Sequence, residues 1–388
     1  AVLWNRLYDP ATRERDARIK TSLRASGLGC ESHNALLLVE PWEARTGAGE
    51  PYRVFSPFWR KIAPALAELS PAGLPSRFAP TPDTDLPTGP AAIDALGLLP
   101  TIAWDQGLAE RWSPGERGAW ERALEFVAGP LAGYGEGRDL PARAGTSSLS
   151  PHLHLGEIGP RQVLALIAER VGSLDAPEVE HYARELGWRE FAYHLLYHYP
   201  DTTDRPLNPR FAGFPWRSSD REATLDAWRH GRTGVPLVDA GMRELWHTGW
   251  MHNRVRMVVA SYLTKNLLLP WQEGARWFWD TLVDADLASN SLGWQWSAGC
   301  GADAAPYFRI FNPVRQGERF DPDGAYVRRW CPELARLPDK AIHRPWEAPE
   351  PILRAAGVRL GTEYPRPVVD LDASRKAALA AYAELPAA

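Results

Sequence analysis

The sequence predicts an α/β segment at the N-terminus, a long linker, and then an all-α domain. Short apolar runs at residues 1–8 and 35–40 flank an amphipathic stretch, which is the strand, helix, strand order of α/β folds. Beyond residue 115 the apolar residues recur with helical spacing to the end of the chain. We therefore place the α/β segment at 1–43, the linker at 44–115 and the helical domain at 116–388.

Proline and glycine mark the boundaries within the first part of the chain. Pro10 suits a first helical position and Gly27 suits the residue that stops a helix. The linker is rich in Pro and Gly and has little periodicity, which predicts a long connection over the surface. Its aromatic residues indicate that parts of it pack against the protein. They are Trp42, Tyr52, Phe55, Phe58, Trp59 and Phe78.

The helical domain contains three stretches of clear helical periodicity, at 159–170, 179–198 and 242–268. No GxGxxG or GxxxxGK[ST] motif occurs in the sequence, so a nucleotide is held here in neither the Rossmann nor the P-loop manner. His194 and His198 have the i, i+4 spacing of zinc ligands but lack the Glu of HExxH, and we interpret them as packed or capping side chains. No metal site is expected.

Composition narrows the class of protein. The 388 residues are 45% hydrophobic yet contain no run of 18 apolar positions, so we expect ample core and no membrane span. Three widely spaced cysteines (Cys30, Cys300 and Cys331) predict neither a disulfide framework nor a metal cluster, which is typical of the cytosol. The net charge of −4 argues against nonspecific coating of nucleic acid but allows a local basic face. Because Ala1 begins directly with a strand-like run, we expect an N-terminal truncation.

Residues 284–322 mix acids, an amide and tryptophans with many small side chains. The larger polar and aromatic members are Asp284, Asp286, Asn290, Trp294 and Trp296. Small residues let the backbone approach something flat, whereas simple core filling would use Leu, Ile and Val. The stretch therefore predicts the wall of a pocket for a polar, planar ligand, and a loop-rich buried turn is the alternative. Arg256 is the expected counter-charge of Asp284, since an unpaired buried carboxylate is costly.

Two further groups of residues combine chemistry with local structure. Hydroxyls and backbone amides cluster over 146–150 where a helix is predicted to begin, which suits a diphosphate, although helix capping alone is a common use. Glu185, Trp188 and Arg189 fall at i, i+3 and i+4, so they share one helical face, as residues of an ordinary surface face also do.

Four motifs in the sequence resemble segments of the DNA photolyase/cryptochrome family, in the same order. They are GTSSLSPHLHLGEIGPRQV at 145–163, ELGWREF at 185–191, TGWMHNRVRM at 248–257 and DADLASNSLGWQWSAGCGADAAPYFRIFNP at 284–313. The resemblance covers about residues 1–380 and is weakest over 44–115. It is nearest to the class I cyclobutane pyrimidine dimer photolyases, because the (6-4) photolyases carry a His pair where this chain has His252-Asn253 and a further His where it has Met257.

The resemblance implies a truncated Rossmann-like antenna domain followed by an all-α FAD-binding domain. It implies light-driven repair of cyclobutane pyrimidine dimers in DNA, by electron transfer from excited reduced FAD to a flipped-out lesion. A cryptochrome-type blue-light photoreceptor without repair activity is the alternative. The family also implies a monomer, and a second antenna chromophore, folate or deazaflavin, on the N-terminal portion.

Site residues follow from the resemblance, position by position. Contacts to FAD are implied for Tyr134, Thr146, Ser147, Ser148, Leu149, Ser150, Arg256, Asp284, Asp286 and Asn290. Contacts to the DNA lesion are implied for Glu185, Trp188, Arg189, Asn253, Arg254, Met257 and Trp296. An electron relay is implied for Trp294, Trp271 and Trp216, although the stretch from Trp216 to Trp228 is about two residues longer than the family pattern. Catalytic roles are implied for Glu185, Asn290 and the three relay tryptophans. Asn290 matches the photolyases, since plant cryptochromes have Asp and animal cryptochromes Cys at that place.

Overall fold

The computed structural model describes residues 1–66, 96–174, 176–304 and 308–386. In this part of the chain a two-stranded parallel sheet precedes a helical domain. Strand β1 (Val2–Asn5) pairs with β2 (Cys30–His33), with Val2 opposite Cys30, and helix α1 (Pro10–Ala25) crosses between them. Pro10 lies in the first turn of α1 and Gly27 adopts φ 71° just beyond its end, so both predicted boundaries of this helix are confirmed.

The second strand differs from the sequence prediction. It lies at Cys30–His33, and residues 35–40 form no strand. Their leucines are buried, and the carboxylate of Glu190 accepts hydrogen bonds from the backbone N–H groups of Leu38 (2.8 Å) and Val39 (3.1 Å). The backbone of this apolar run is therefore satisfied by a helix side chain instead of a neighbouring strand.

The helices that follow are short except for one. They are α2 (Phe55–Ile62), α3 (Gln106–Arg111), α4 (Glu116–Ala128), α5 (Tyr134–Gly137), α6 (Ser150–Leu155), α7 (Pro160–Val171), α8 (Pro177–His198), α9 (Arg221–Arg229), α10 (Pro236–Thr248), α11 (Asn253–Ser261), α12 (Trp271–Thr281), α13 (Leu287–Ala298), α14 (Pro313–Phe320), α15 (Ala325–Trp330), α16 (Asp339–Ile342), α17 (Glu350–Ala356) and α18 (Leu371–Ala383). Single 3₁₀ turns lie at Ala63–Leu66, Pro130–Gly133, Pro200–Thr203, Pro209–Gly213, Pro332–Leu334 and Pro345–Glu347, and a π-helical turn lies at Tyr262–Asn266. None of the helices described here is long and apolar enough to cross a membrane.

The predicted helices at 159–170 and 179–198 are confirmed as α7 and α8, but the single helix predicted over 242–268 is wrong. The chain breaks there into α10 and α11, because Gly249 adopts φ 65° and ends the first helix. His252 then caps the second, its Nδ1 accepting the backbone N–H of Arg254 at 3.2 Å.

Part of the linker packs as its aromatic residues predict. Phe55, Phe58 and Trp59 are buried on α2, which lies against α8, whereas Trp42 stays exposed. Phe78 lies outside the described residues.

Helix α8 connects the parts of the molecule. It contacts α2, α5, α7 and α13, and its residues belong to the apolar core formed by the first half of the chain. A separate core is formed by residues between 211 and 385. A third, small cluster joins Tyr8 and Leu37 of the N-terminal segment to Tyr193 of α8 and Ala288 of α13. The predicted site residues come from the elements where these cores meet.

Candidate active site

Arg256 and Asp284 form a buried ion pair where α11 meets the start of α13. The Arg256 Nη2 lies 3.1 and 2.8 Å from the two carboxylate oxygens, and its Nε donates to the Met251 carbonyl at 2.7 Å. The Asp284 side chain is only 4% exposed. This is the partner that the sequence predicted for Asp284, and burial makes the pairing necessary, since either charge alone would be costly there.

Asp286 is held by three neighbours at the start of α13. It caps the helix by accepting the Ser289 N–H at 2.7 Å, it accepts the Tyr193 hydroxyl, and His154 Nδ1 lies 3.4 Å away. Burial by itself would raise the pKa of Asp286, but His154, Arg189, Tyr193 and the Ser289 N–H together lower it to about 2. Asp286 is therefore a fixed anion, and His154, whose pKa it raises, is a partner that sequence reasoning missed.

Asn290 lies one turn further along α13. Its Nδ2 donates to the Ala275 carbonyl of α12 at 2.9 Å, which fixes the amide and leaves Oδ1 as an acceptor. We call Arg256, Asp284, Asp286 and Asn290 the inner wall. It offers an ion pair, a fixed carboxylate and an oriented amide, which are groups that fit the polar edge of a planar ring system.

The predicted hydroxyl cluster forms a tight loop before α6. Ser148 has a left-handed backbone (φ 50°), and the Ser147 Oγ lies 3.3 Å from the Leu149 N–H and 3.4 Å from the Tyr182 hydroxyl, both of which donate to it. Trp250 Nε1 donates to Ser150 Oγ at 3.4 Å. Tyr134 is buried and packs its ring edge to face with Phe126 and Tyr182.

This loop borders a cavity of about 570 Å³, whose lining includes Thr146, Ser147 and Ser148. Trp250 also lines the cavity, and the Arg256 guanidinium lies 5.9 Å from its ring, so Trp250 connects the cavity to the inner wall. The hydroxyl groups of the loop suit phosphate groups, and the amide acceptor of the inner wall suits a polar ring, but the inner-wall residues themselves do not line this cavity.

Two further arginine–carboxylate contacts involve residues that were predicted to lie near the lesion. Arg138 donates to Glu185 of α8 at 2.6 Å, and Arg254 of α11 donates to Asp139 at 2.5 Å. The carboxylate side chains are 31% and 33% exposed. We call Arg138, Asp139, Glu185 and Arg254 the rim. Sequence reasoning missed Arg138 and Asp139, although an Arg-Asp dipeptide just after Tyr134 was a signal.

The side chains of Trp188 and Arg189 both make contacts within the protein that the sequence did not indicate. The Trp188 ring stacks on Phe55 with centroids 3.8 Å apart, so one face is covered. Arg189 donates to the Leu36 carbonyl at 2.7 Å and the Leu153 carbonyl at 3.3 Å. In this structure its guanidinium joins the N-terminal segment to the helical domain, and a lesion contact for Arg189 stays an untested prediction.

The remaining residues that were predicted to contact the lesion lie on α11 and α13. Asn253 is exposed in the first turn of α11, and Met257 is half-buried one turn later. Trp296 is half-buried, with the Arg309 guanidinium 5.4 Å from its ring and Phe311 at 6.3 Å. These side chains offer an amide, a thioether and an aromatic face.

The three tryptophans predicted to form an electron relay lie in different surroundings. Trp294 and Trp271 are buried, while Trp216 is half-buried against Phe214 at 4.4 Å. The Trp294 ring packs 5.0 Å from Phe278 and 6.1 Å from Trp228, and a Cβ on Gly274 would lie 2.0 Å from it, so glycine is required at that point of α12.

His194 and His198 are packed side chains, as predicted. His194 Nε2 accepts the Tyr52 N–H at 3.0 Å and its Nδ1 lies 3.1 Å from the Pro41 carbonyl, which His198 also contacts at 3.0 Å. Burial lowers the pKa of His194 to about 4, so it is neutral and tied to the backbone. His194 therefore ties both the N-terminal segment and the linker to α8, and His198 ties the N-terminal segment alone.

Comparison with known proteins gives two family matches. The model of the FAD binding domain of DNA photolyase matches residues 182–384, and the DNA photolyase model matches residues 1–77. The chain is 48% identical over 386 residues to the deoxyribodipyrimidine photo-lyase of Agrobacterium fabrum, covering 98% of this chain and 79% of that one. It is 41% identical to cryptochrome-1 of Arabidopsis thaliana, covering 96% of this chain and 55% of the relative.

A solved structure agrees with these relatives. The crystal structure of a bacterial class III photolyase from Agrobacterium tumefaciens superposes with a TM-score of 0.89 at 47% identity, covering 98% of this chain and 78% of that one. That protein is of class III, whereas the sequence motifs suggested class I.

Proposed function

The chain belongs to the DNA photolyase/cryptochrome family, and from that membership we propose that it is an FAD-dependent photolyase that repairs cyclobutane pyrimidine dimers in DNA under blue light. The residue that favours repair activity over a photoreceptor role is Asn290. The Ala275 carbonyl fixes its amide, which leaves Oδ1 as a hydrogen-bond acceptor. Photolyases have an amide side chain at the matching position.

The inner wall would hold the cofactor. Reduced FAD, when bound and excited by light, would supply one electron to the dimer, and this electron would return to the flavin after the dimer has split. Asn290 Oδ1 would accept a hydrogen bond from a flavin N–H, while the Arg256–Asp284 pair would bind the polar edge of the ring. The hydroxyls and amides over 146–150, with Tyr134 beneath them, would bind the diphosphate side.

The rim would receive the lesion. The Glu185 and Asp139 carboxylates are about one-third exposed, so Arg138 and Arg254 can exchange these partners for DNA phosphates or base edges at low cost. Trp188 and Trp296, each with one ring face in contact with protein, would use the other face to stack an extruded base. Glu185 would lie beside a thymine carbonyl on which negative charge develops, a place where a hydrogen-bond donor stabilises that charge.

Three further expectations stay with this proposal. Residues 1–43 would belong to an antenna domain that carries folate or deazaflavin in the whole protein, with 44–115 as linker and 116–388 as the FAD and DNA domain. The protein would act as a monomer. Its place would be the bacterial cytoplasm, where its DNA substrate lies.

Repair is tested with the reduced, FAD-loaded protein and an oligonucleotide containing one thymine dimer. Under blue light we expect the dimer to revert to two thymines, counted by chromatography, with no net change in flavin oxidation state and no reaction in the dark. A protein that binds FAD and the oligonucleotide yet leaves the dimer intact would instead be a cryptochrome-type photoreceptor.

A further inference from the structure

A group of charged and titratable side chains lies where the N-terminal segment packs against the helical domain, beside the inner wall. Asp9 comes just before α1, His154 lies on α6, Arg189 and Tyr193 lie on α8, and Asp286 precedes α13. Of this group, Asp286 alone belongs to the inner wall. The charges of the other side chains therefore decide how firmly the Asp286 carboxylate is held.

The two carboxylates in this group need more positive charge than Arg189 supplies. Asp9 is the N-cap residue of α1 but makes no capping hydrogen bond with its side chain, and burial, followed by the Asp286 charge, raises its pKa. The Arg189 guanidinium donates to two backbone carbonyls and lies 3.7 Å from the Glu190 carboxylate, so its charge is shared with another acid. A further cation is therefore needed beside Asp9 and Asp286, because neighbouring carboxylates repel each other.

His154 lies in the right place to be that cation. Its Nδ1 is buried and lies 3.4 Å from Asp286 Oδ2, the oxygen that also accepts the Tyr193 hydroxyl. A nitrogen without a proton would direct its lone pair at this carboxylate, so Nδ1 carries a proton. The contact with Asp286 raises the pKa of His154 and the Asp284 charge acts in the same direction, whereas burial and the Arg189 charge oppose them. The His154 side chain is 31% exposed, so its second proton exchanges with solvent.

Asp286 connects His154 to the first turn of α13. The Asp286 Oδ1 accepts the Ser289 N–H at 2.7 Å, and the Asp286 carbonyl accepts the Asn290 N–H at 2.8 Å. Asn290 in turn donates from its side chain to the Ala275 carbonyl at 2.9 Å. A displaced Asp286 carboxylate would release the cap of this helix and shift the turn that carries Asn290.

We propose that His154, as a cation, is a positioning residue for the flavin site, which holds Asp286 at the start of α13 and is itself kept protonated with the help of Asp9. This proposal rests on the proposed function, because it takes flavin as the ligand beside Asn290. The pKa of His154 in the folded protein is raised above 6.5, so its contribution is complete below about pH 6.5 and is lost as the pH rises through the higher folded value. FAD binding therefore depends on pH, and the N-terminal segment acts on it through the charge of Asp9.

The pH dependence of FAD binding separates this role from a purely structural one. The protein is freed of flavin, and its dissociation constant for FAD is measured by quenching of flavin fluorescence from about pH 6 to about pH 9. For the parent we expect binding to weaken about tenfold as the pH rises above 6.5, as for the loss of one charged contact. His154→Asn keeps a donor near the position of Nδ1 but does not titrate, so this step should be absent. Asp9→Asn removes an anion that favours the His154 proton, so the step should move to lower pH.

His230→Asn is the matched control. His230 also lies beside an aspartate, with its Nδ1 3.0 Å from Asp226, but its side chain is 54% exposed on the surface. This variant should keep the step of the parent. A step that persists in His154→Asn, or a parent without any step, would overturn the proposal and leave the proposed function intact, and so would a step that Asp9→Asn leaves at the same pH. A parent chain that binds no FAD at any pH would overturn both.

Discussion

The inner wall and the rim use the same chemistry in different surroundings. Arg256 and Arg254 lie two residues apart on α11, and each binds a carboxylate. The Asp284 side chain is 4% exposed, whereas that of Asp139 is 33% exposed. Replacing the arginine partner of a buried carboxylate by water costs much free energy, whereas the cost is low for a carboxylate that is one-third exposed. The comparison teaches that burial, not residue type, separates the groups that we propose to hold the cofactor from the groups that we propose to open to the substrate.

The largest expected difference is in stability. Asp284→Asn leaves Arg256 without its counter-charge, so we expect a loss of about 3 kcal/mol in unfolding free energy, together with loss of FAD. Asp139→Asn is the matched variant on the rim and should cost less than about 1 kcal/mol, with FAD retained. Urea unfolding and the ratio of flavin to protein absorbance measure both quantities. Equal destabilisation by the two variants would remove the distinction between wall and rim.

A second difference concerns how the flavin is reduced. The tryptophan relay should serve the inner wall alone, so Trp216→Phe should abolish photoreduction of oxidised FAD and leave repair by chemically reduced protein intact. Trp228→Phe is the matched variant, because Trp228 contacts Trp294 at 6.1 Å but lies outside the predicted relay. Transient absorption after a blue flash checks both. Normal photoreduction in Trp216→Phe with loss in Trp228→Phe would redirect the relay through Trp228.

A smaller effect is expected for DNA binding at the rim. Arg254→Gln should weaken binding of dimer-containing duplex and reduce the salt slope by about 0.9, as for one lost phosphate contact. Arg189→Gln should leave the slope unchanged, since its guanidinium binds the Leu36 and Leu153 carbonyls. Fluorescence anisotropy over a range of salt concentrations gives both slopes. A reduced slope for Arg189 with none for Arg254 would reverse the assignment.

Local signals in the sequence predicted helix α1 but not the second strand. Pro10 and Gly27 act within their own turns, so their effect can be read from the sequence. Residues 35–40 were predicted as a strand because a buried loop and a buried strand can both give a short run of apolar residues in the sequence. Its backbone partner, Glu190, lies about 150 residues away. Likewise, helical periodicity over 242–268 conceals the break at Gly249, which has a φ of 65° and lies so close to Val283 that a Cβ there would be 2.6 Å from the Val283 Cγ1.

For the candidate site, the sequence identified the polar side chains better than it identified their hydrogen-bond and ion-pair partners. The Arg256–Asp284 pair was predictable, since a buried acid needs a cation and Arg256 lies in a matching motif. The sequence placed Glu185 on a helical face with Trp188 and Arg189, but it did not identify the arginine partner of Glu185, Arg138, which lies 47 residues earlier. The carbonyl partners of Arg189 were not predicted, because helical spacing gives the face on which a residue lies and not what covers that face.

Glu185 gives the most direct test of the central claim, that the rim acts on the lesion while the inner wall holds the cofactor. The measurement is the quantum yield of dimer repair in single-turnover blue light, with fully reduced FAD and saturating oligonucleotide. The account predicts that Glu185→Ala lowers the yield more than it lowers lesion affinity, that Glu185→Gln, which keeps a donor, retains more of the yield, and that both keep the parent's FAD content. A Glu185→Ala protein with the parent's yield, or one that loses FAD, would contradict it.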